Sequence, residues 1–354
     1  MRAKSTNLGT LAAVVVALGG CAERRANDAP ARSTPDHGEV ATSGSSRVVR
    51  VGFTVSNLDR TLAALRTLDF AVEAVGEPAT DGLSALYALP GVRARVAEVA
   101  LGSQRVELTE CTTRRGRAIP ADSRSNDAWF QHMAIVVRDM DAAYARVFAD
   151  AHSFHRLSPA PQTIPLSNPA AGGIRALYFR DADNHNLELI WFPSGKGDPV
   201  WQAPGTALFL GVDHSAIAVT DPVRSRAAYQ TLGFSVAGTS FNFGAEQEAL
   251  SGVSGARVAI TGLRDEAGPG VEFLSYLAPA GGRRAAADST PCDLWHWEIT
   301  VAVPSLDAAL SALATRGLEA RSSAIATFPD ASLGYRRAAL VEDPDGHALR
   351  LVEP

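Results

Sequence analysis

Apolar and polar positions fall into blocks along this chain, and one block sets the pattern for the others. Residues 129–137 form a nearly continuous apolar run, the signature of a buried strand, and Arg138-Asp139-Met140-Asp141 follows as a turn and helix cap. The alanine-rich stretch over 142–149 has the spacing of an amphipathic helix. Two short strand-like runs, 175–180 and 186–191, flank the acidic turn Asp181-Ala182-Asp183-Asn184-His185, which predicts a β-hairpin. The block therefore runs strand, helix, irregular strand, hairpin. His132 lies on its first strand and Glu188 on its last.

The same order returns elsewhere. Asp127-Ala128-Trp129 matches Asp293-Leu294-Trp295, and Asp141-Ala142-Ala143 matches Asp307-Ala308-Ala309 at the same separation. Ala94-Arg95-Val96-Ala97 recurs as Ala256-Arg257-Val258-Ala259 at a separation only slightly shorter, which the acidic hairpin shares when it recurs over 343–347. Such closely similar offsets describe a tandem duplication with a period a little under half the chain, and each half divides again. Four βαβββ units are expected over 48–112, 129–193, 210–277 and 294–353, so the fold class is α+β. Their helices are expected over 60–67, 142–150, 225–231 and 308–315, with acidic starts at Asp59, Asp141 and Asp307.

Length and charge narrow the choice of function. A chain of 354 residues has room for two or more domains, and a net charge of -5 without a basic block argues against a nucleic-acid partner. Phosphate loop, dinucleotide fingerprint and nucleophile elbow are all missing from the sequence. Arg2 and Lys4 precede an apolar run over 11–18 that is too short to span a bilayer and ends in Leu18-Gly19-Gly20-Cys21. Those residues resemble a bacterial lipoprotein signal. The resemblance implies a signal peptide over 1–20, lipidation at Cys21 and, through Ala22, an outer-membrane address facing the periplasm of a Gram-negative bacterium. Residues 21–47 are polar and small, as in a flexible tether. Cys111 and Cys292 have no CxxC spacing and are expected as free, partly buried thiols.

Two motifs carry a family resemblance. Asp-x-Asp-x-His-x-Leu-Glu over 181–188 and His-x-x-Ile-x-Val-x-Asp over 132–139, set in four βαβββ units, resemble the vicinal oxygen chelate superfamily. That group includes glyoxalase I, extradiol dioxygenases, and the fosfomycin and bleomycin resistance proteins. The resemblance implies two tandem glyoxalase/dioxygenase-like bidomains over 48–200 and 201–354, each curling two adjacent units into a cup. The first and last strands of each unit then offer side chains to a divalent metal.

Aligned on the helix starts, the first-strand positions hold Arg50, His132, His214 and Glu298, and the last-strand positions hold Glu107, Glu188, Glu272 and Arg350. Pairing sequence neighbours predicts one cup of Arg50, Glu107, His132 and Glu188, and another of His214, Glu272, Glu298 and Arg350. One imidazole and two carboxylates suit Mn, Fe(II), Zn or Ni. The family's usual sets have two His with one or two Glu, so each predicted cup departs from them by an Arg. An Arg cannot ligate a metal; Arg50 and Arg350 would either bind an anionic substrate or pair with a neighbouring Glu. His296 precedes Glu298 by two and leaves the same strand face, which makes His214, His296 and Glu272 an alternative ligand set. His185 and His347 sit in hairpin turns and are expected at the surface.

The leading expectation is a divalent-metal enzyme acting on a small oxygen-bearing substrate, either a glyoxalase-like lyase or isomerase or a dioxygenase. The alternative is a metal-free protein that sequesters a small molecule, as bleomycin-resistance proteins do. A third arrangement keeps one cup for chemistry and the other for architecture. Pairing of the arginines discriminates: Arg–Glu ion pairs mark a cup closed to metal, and an Arg facing an open cup marks an anion site.

Overall fold

A computed structural model describes residues 46–150, 152–329 and 333–353. The expected signal peptide, Cys21 and nearly all of the tether over 21–47 lie outside the described residues. Module 1 runs β1 (Arg47–Thr54), α1 (Leu58–Arg66), β2 (Ala71–Gly76), α2 (Thr80–Tyr87), β3 (Ala94–Leu101) and β4 (Gln104–Cys111). Module 2 runs β5 (Gln131–Val137), α3 (Met140–Val147), the short β6 (Phe154–Arg156) and β7 (Gln162–Thr163), then β8 (Arg175–Asp181) and β9 (Asn186–Trp191). Module 3 runs β10 (Phe209–Ala218), α4 (Pro222–Thr231), β11 (Ser235–Phe243), α5 (Ala245–Ser251), β12 (Arg257–Arg264) and β13 (Gly270–Ala278). Module 4 runs β14 (Trp297–Ala302), α6 (Leu306–Ala314), β15 (Ala326–Thr327), β16 (Arg337–Glu342) and β17 (Ala348–Glu353).

The four expected helices start on side-chain caps. Asn57, Asp139, Asp221 and Ser305 each accept a backbone N–H of the first turn, which leaves Asp59, Asp141 and Asp307 inside that turn. Helices α2 and α5 are additions to the expected βαβββ order, and both lie against the neighbouring module: α2 on β15 and β16, α5 on β7 and β8.

The modules join into two mixed sheets, ordered β15-β16-β17-β14-β1-β4-β3-β2 and β11-β12-β13-β10-β5-β9-β8-β6. Module 1 therefore pairs with module 4 through antiparallel β1 and β14, and module 2 with module 3 through antiparallel β5 and β10. This corrects the expected cups, which joined neighbours in sequence. One apolar core is drawn mainly from modules 1 and 2, including Leu62, Val106, Ile135 and Leu189, and a second mainly from modules 3 and 4, including Ile217, Phe273, Leu306 and Leu349.

The connectors over 112–130 and 279–296 direct this exchange. A Cβ on Gly116 would lie 1.6 Å from the carbonyl oxygen of Cys292, and one on Gly282 would lie 1.6 Å from that of Asn126, so only glycine lets either connector pass. The next residue clasps the opposite module. Arg117 binds Asp293 at 2.6 Å and stacks on Trp295; Arg283 binds Asp127 at 2.8 Å and stacks on Trp129. Both clasps sit in a Gly-Arg…Asp-Ser…Asp-x-Trp motif that occurs once in each half of the chain with identical internal spacing.

Two more expectations need correction. Cys111 and Cys292 are joined in a disulfide with Cα atoms 5.8 Å apart, because β4 and β14 flank β1 in the sheet of modules 1 and 4. His185 and His347 are buried rather than on the surface. His185 Nδ1 meets Asp181 at 2.9 Å, and its Nε2 reaches the carbonyls of Thr54 and Leu294. Burial lowers the proton affinity of this imidazole, but Asp181 and Asp183 outweigh it and raise the pKa. His347 likewise bonds the carbonyl of Ala218. The acidic hairpins are thus staples between modules, since Asp183 also binds Ser56 and Asp345 binds Thr220.

Candidate metal centre

The sheet of modules 2 and 3 collects four of the candidate residues. His132 stands on β5, Glu188 on β9, His214 on β10 and Glu272 on β13. The register sets them in two rows: Ala134 is paired on one side with His214 and on the other with Glu188, and Ala216 with His132 and Glu272. An alanine between each pair leaves room on that face for the longer side chains to converge. His132 Nε2 lies 3.0 Å from Glu188, and His214 Nε2 lies 3.5 Å from Glu188 and 3.6 Å from Glu272. The ligand atoms of His132, Glu188 and His214 all fall within 4.8 Å of one another, and all three residues are buried.

A carboxylate orients one of these ligands from outside the group. Asp213 accepts from His214 Nδ1 at 2.9 Å, which turns the Nε2 lone pair towards the cup. In a regular strand Asp213 would face away from its neighbour. It sits instead at a register shift between Val212 and His214, where β10 carries one extra residue against β5. Trp201 and Arg264 bind the same carboxylate at 2.8 and 2.7 Å. Burial pushes Asp213 up, but His214 and Arg264 hold it well below the usual carboxylate range. Burial depresses His214, but Glu272, Asp213 and Glu188 raise it well above an ordinary imidazole.

The residues fit a divalent ion. Both ring nitrogens of His132 and Nε2 of His214 are buried without a well-directed hydrogen bond, which costs folding free energy unless a ligand satisfies them. Once a metal displaces the His214 proton, two imidazoles and two carboxylates make a mixed nitrogen–oxygen donor set of charge -2, which a divalent cation neutralises.

The sheet of modules 1 and 4 carries the remaining candidates in a different state. Arg50 binds Glu107 at 3.0 Å and Glu98 at 2.7 Å, and also donates to the carbonyl of Leu333. Arg350 binds Glu107 at 2.5 Å, pairs with Glu298, and reaches the hydroxyls of Tyr335 and Tyr87. His296 Nε2 lies 2.8 Å from Glu298. Burial pushes the Glu298 carboxyl up, but Arg350 and His296 hold it down at about 2. The expected roles of Arg50 and Arg350 as anion binders, and of Glu107, Glu298 and His296 as metal ligands, give way here to a closed ion-pair network. His296 is in the other cup from His214 and Glu272, so the alternative ligand set does not assemble. A neighbouring cavity of about 540 Å³ reaches His296 and Tyr87, but none of Arg50, Glu107, Glu298 and Arg350 lines it.

Period-related positions show what separates the cups. One period before His214 stands Arg50, and one period before Asp213 stands Val49. The register shift recurs as well, between Val48 and Arg50. One cup has both a ligand and its orienting carboxylate, and the other has neither. Asp213 escaped the sequence analysis because alternation assigns it to the opposite face; the missing signal was the bulge.

No protein-family model matches the chain, and no curated protein matches it. Solved structures do. Glyoxalase I from Zea mays superposes with a TM-score of 0.58 at 16% identity, covering 87% of this chain and 92% of that one. A putative dioxygenase from Bacillus subtilis superposes with a TM-score of 0.53 at 10% identity, covering 88% and 86%. At these identities the likeness is one of fold: an α+β chain with two mixed sheets resembling two-domain glyoxalase I.

Proposed function

We propose that the chain is a divalent-metal enzyme of glyoxalase type, a lyase or isomerase, whose chemistry resides only in the cup of modules 2 and 3. The observation that carries this is the convergence of His132, Glu188, His214 and Glu272, the two-His, two-Glu set typical of the family the sequence resembles. The likeness in fold to maize glyoxalase I supports it. His132, Glu188 and His214 would hold Mn, Fe(II), Zn or Ni. The bound ion supplies Lewis acidity, which makes a proton beside a substrate carbonyl easier to remove. Glu272, whose side chain keeps 26% of its exposure, is the group with access to take that proton from one carbon and return it to the next. Tyr178 packs on the His132 ring at 4.8 Å and, with Ile190 and Leu274, keeps the wall of the site apolar.

The cup of modules 1 and 4 serves architecture in this reading, because arginines fill it. We also place the protein on the outer membrane, anchored by lipid at Cys21 and facing the periplasm. The Cys111–Cys292 disulfide supports an oxidising compartment.

Incubation with acetoin in D₂O tests the chemistry. Metal-loaded protein should exchange the proton on the hydroxyl-bearing carbon, read by NMR. Glu272→Gln should slow that exchange at least about 100-fold with metal content unchanged. Oxygen uptake without exchange would make the protein a dioxygenase, and neither activity together with no retained metal would return it to the class of metal-free binders.

A further inference from the structure

Beside Glu188, His214 and Glu272 lies a cavity of about 80 Å³, walled mainly by Ile174, Ile190, Leu250, Val258, Ile260 and Leu274. The space beside the ligand group is narrow and admits only the reacting end of a small molecule. Two larger depressions adjoin it, one under Phe241 and Phe243 and one beside Asp213 and Arg264.

Charge and hydrogen bonding in these spaces restrict what enters. Arg264 and the His214 imidazole are the two groups able to carry positive charge among the described residues lining the three, and Asp213 engages both, Arg264 through its side chain and its carbonyl. Acids are more numerous: Glu246, Asp198 and Asp265 add to Glu188 and Glu272. An anionic substrate would approach against that field. The polar groups within reach are neutral. Asn242 uses its Oδ1 to accept from Asn168 at 2.9 Å. Gln247, on α5, is only 4% exposed, and its Oε1 is buried without a hydrogen-bond partner. A buried carbonyl left in this state is a standing acceptor for a ligand hydroxyl. The other inserted helix, α2, shows the contrast: its Tyr87 hydroxyl already bonds Arg350.

We propose that Gln247 binds the substrate, and that the cavity takes the reacting end of a small uncharged molecule with adjacent oxygens, whose hydroxyl donates to Gln247 Oε1. This rests on the cup of modules 2 and 3 being the reactive one. It also separates the site from one for anionic thiol conjugates, which would need a cation not already engaged by a carboxylate, whereas Asp213 holds both Arg264 and His214.

Acetoin and lactate are matched probes, since both have adjacent oxygens and the same number of heavy atoms and they differ in charge. Binding is measured by saturation-transfer NMR on the metal-free full chain, and Mn(II) stoichiometry on the same preparation. Acetoin should bind at least tenfold more tightly than lactate. Gln247→Leu should weaken acetoin roughly tenfold, the loss of one hydrogen bond, and leave Mn(II) binding intact as evidence of folding. Gln247→Glu, which keeps an acceptor at the same atom, should retain acetoin. Equal binding of lactate, or an unchanged Gln247→Leu variant, overturns the proposal. Absence of Mn(II) binding with acetoin selectivity intact would instead remove the metal-enzyme reading and leave the cavity assignment standing.

Discussion

Replacing Arg350 with methionine is expected to lower the unfolding free energy by about 3–5 kcal/mol and the melting temperature by roughly 10 °C. Arg350 is almost completely buried and is the common partner of Glu107 and Glu298, both equally buried. Removing it leaves Glu107 with Arg50 alone, which Glu98 already shares, and Glu298 with His296 alone, so the buried carboxylates outnumber their cations and one must take up a proton or draw in water. The cost comes from that abandonment rather than from the strength of the bridge. Accordingly, Arg350→Met combined with Glu107→Leu and Glu298→Leu should recover most of the loss, since a buried pair replaced by apolar groups is often close to neutral. Thermal unfolding of the single and triple variants reads both effects. A single variant as stable as the parent would mean that water already reaches the network.

Breaking the Cys111–Cys292 bond should have a comparable effect by a different route. The two cysteines are 181 residues apart, and a closed loop of that length restricts the unfolded chain by an amount worth about 5 kcal/mol in the chain-entropy model. Cys111→Ser with Cys292→Ser should therefore lower the denaturation midpoint of the oxidised protein to that of the reduced one. The serine variant should also lose all response to reductant. Alkylation of the unreduced, denatured protein that labels Cys111 and Cys292 would contradict the bond.

Much of this architecture can be read in the sequence, and the part that cannot has a definite cause. Local periodicity defines the four modules, the first helix of each and every residue of the His132, Glu188, His214 and Glu272 group, because side-chain direction in a strand is a local property. Which module lies beside which is not local. Strand pairing runs through backbone N–H and C=O groups that every strand carries, and the connectors hold the observed pairing, where Gly116 and Gly282 permit a crossing that Arg117 and Arg283 then lock. Sorted by sequence order, the ligands form two cups with one His each. Sorted by sheet, they form one cup with both histidines and one with both arginines. The two cysteines were misjudged for the same reason, since only the pairing of modules 1 and 4 brings them together. The buried hairpin histidines are a separate case: a turn reads as exposed unless another module closes over it.

The metal content of the purified protein tests the central claim most directly. After incubation with Mn(II) and removal of the excess, one ion per chain is expected. His132→Ala and His214→Ala should each abolish it, and Glu298→Gln should leave it unchanged. Two ions per chain would mean that both cups bind metal, and an ion that survives both histidine variants and leaves with Glu298→Gln would mean that the cups have been assigned the wrong way round; either result contradicts the account.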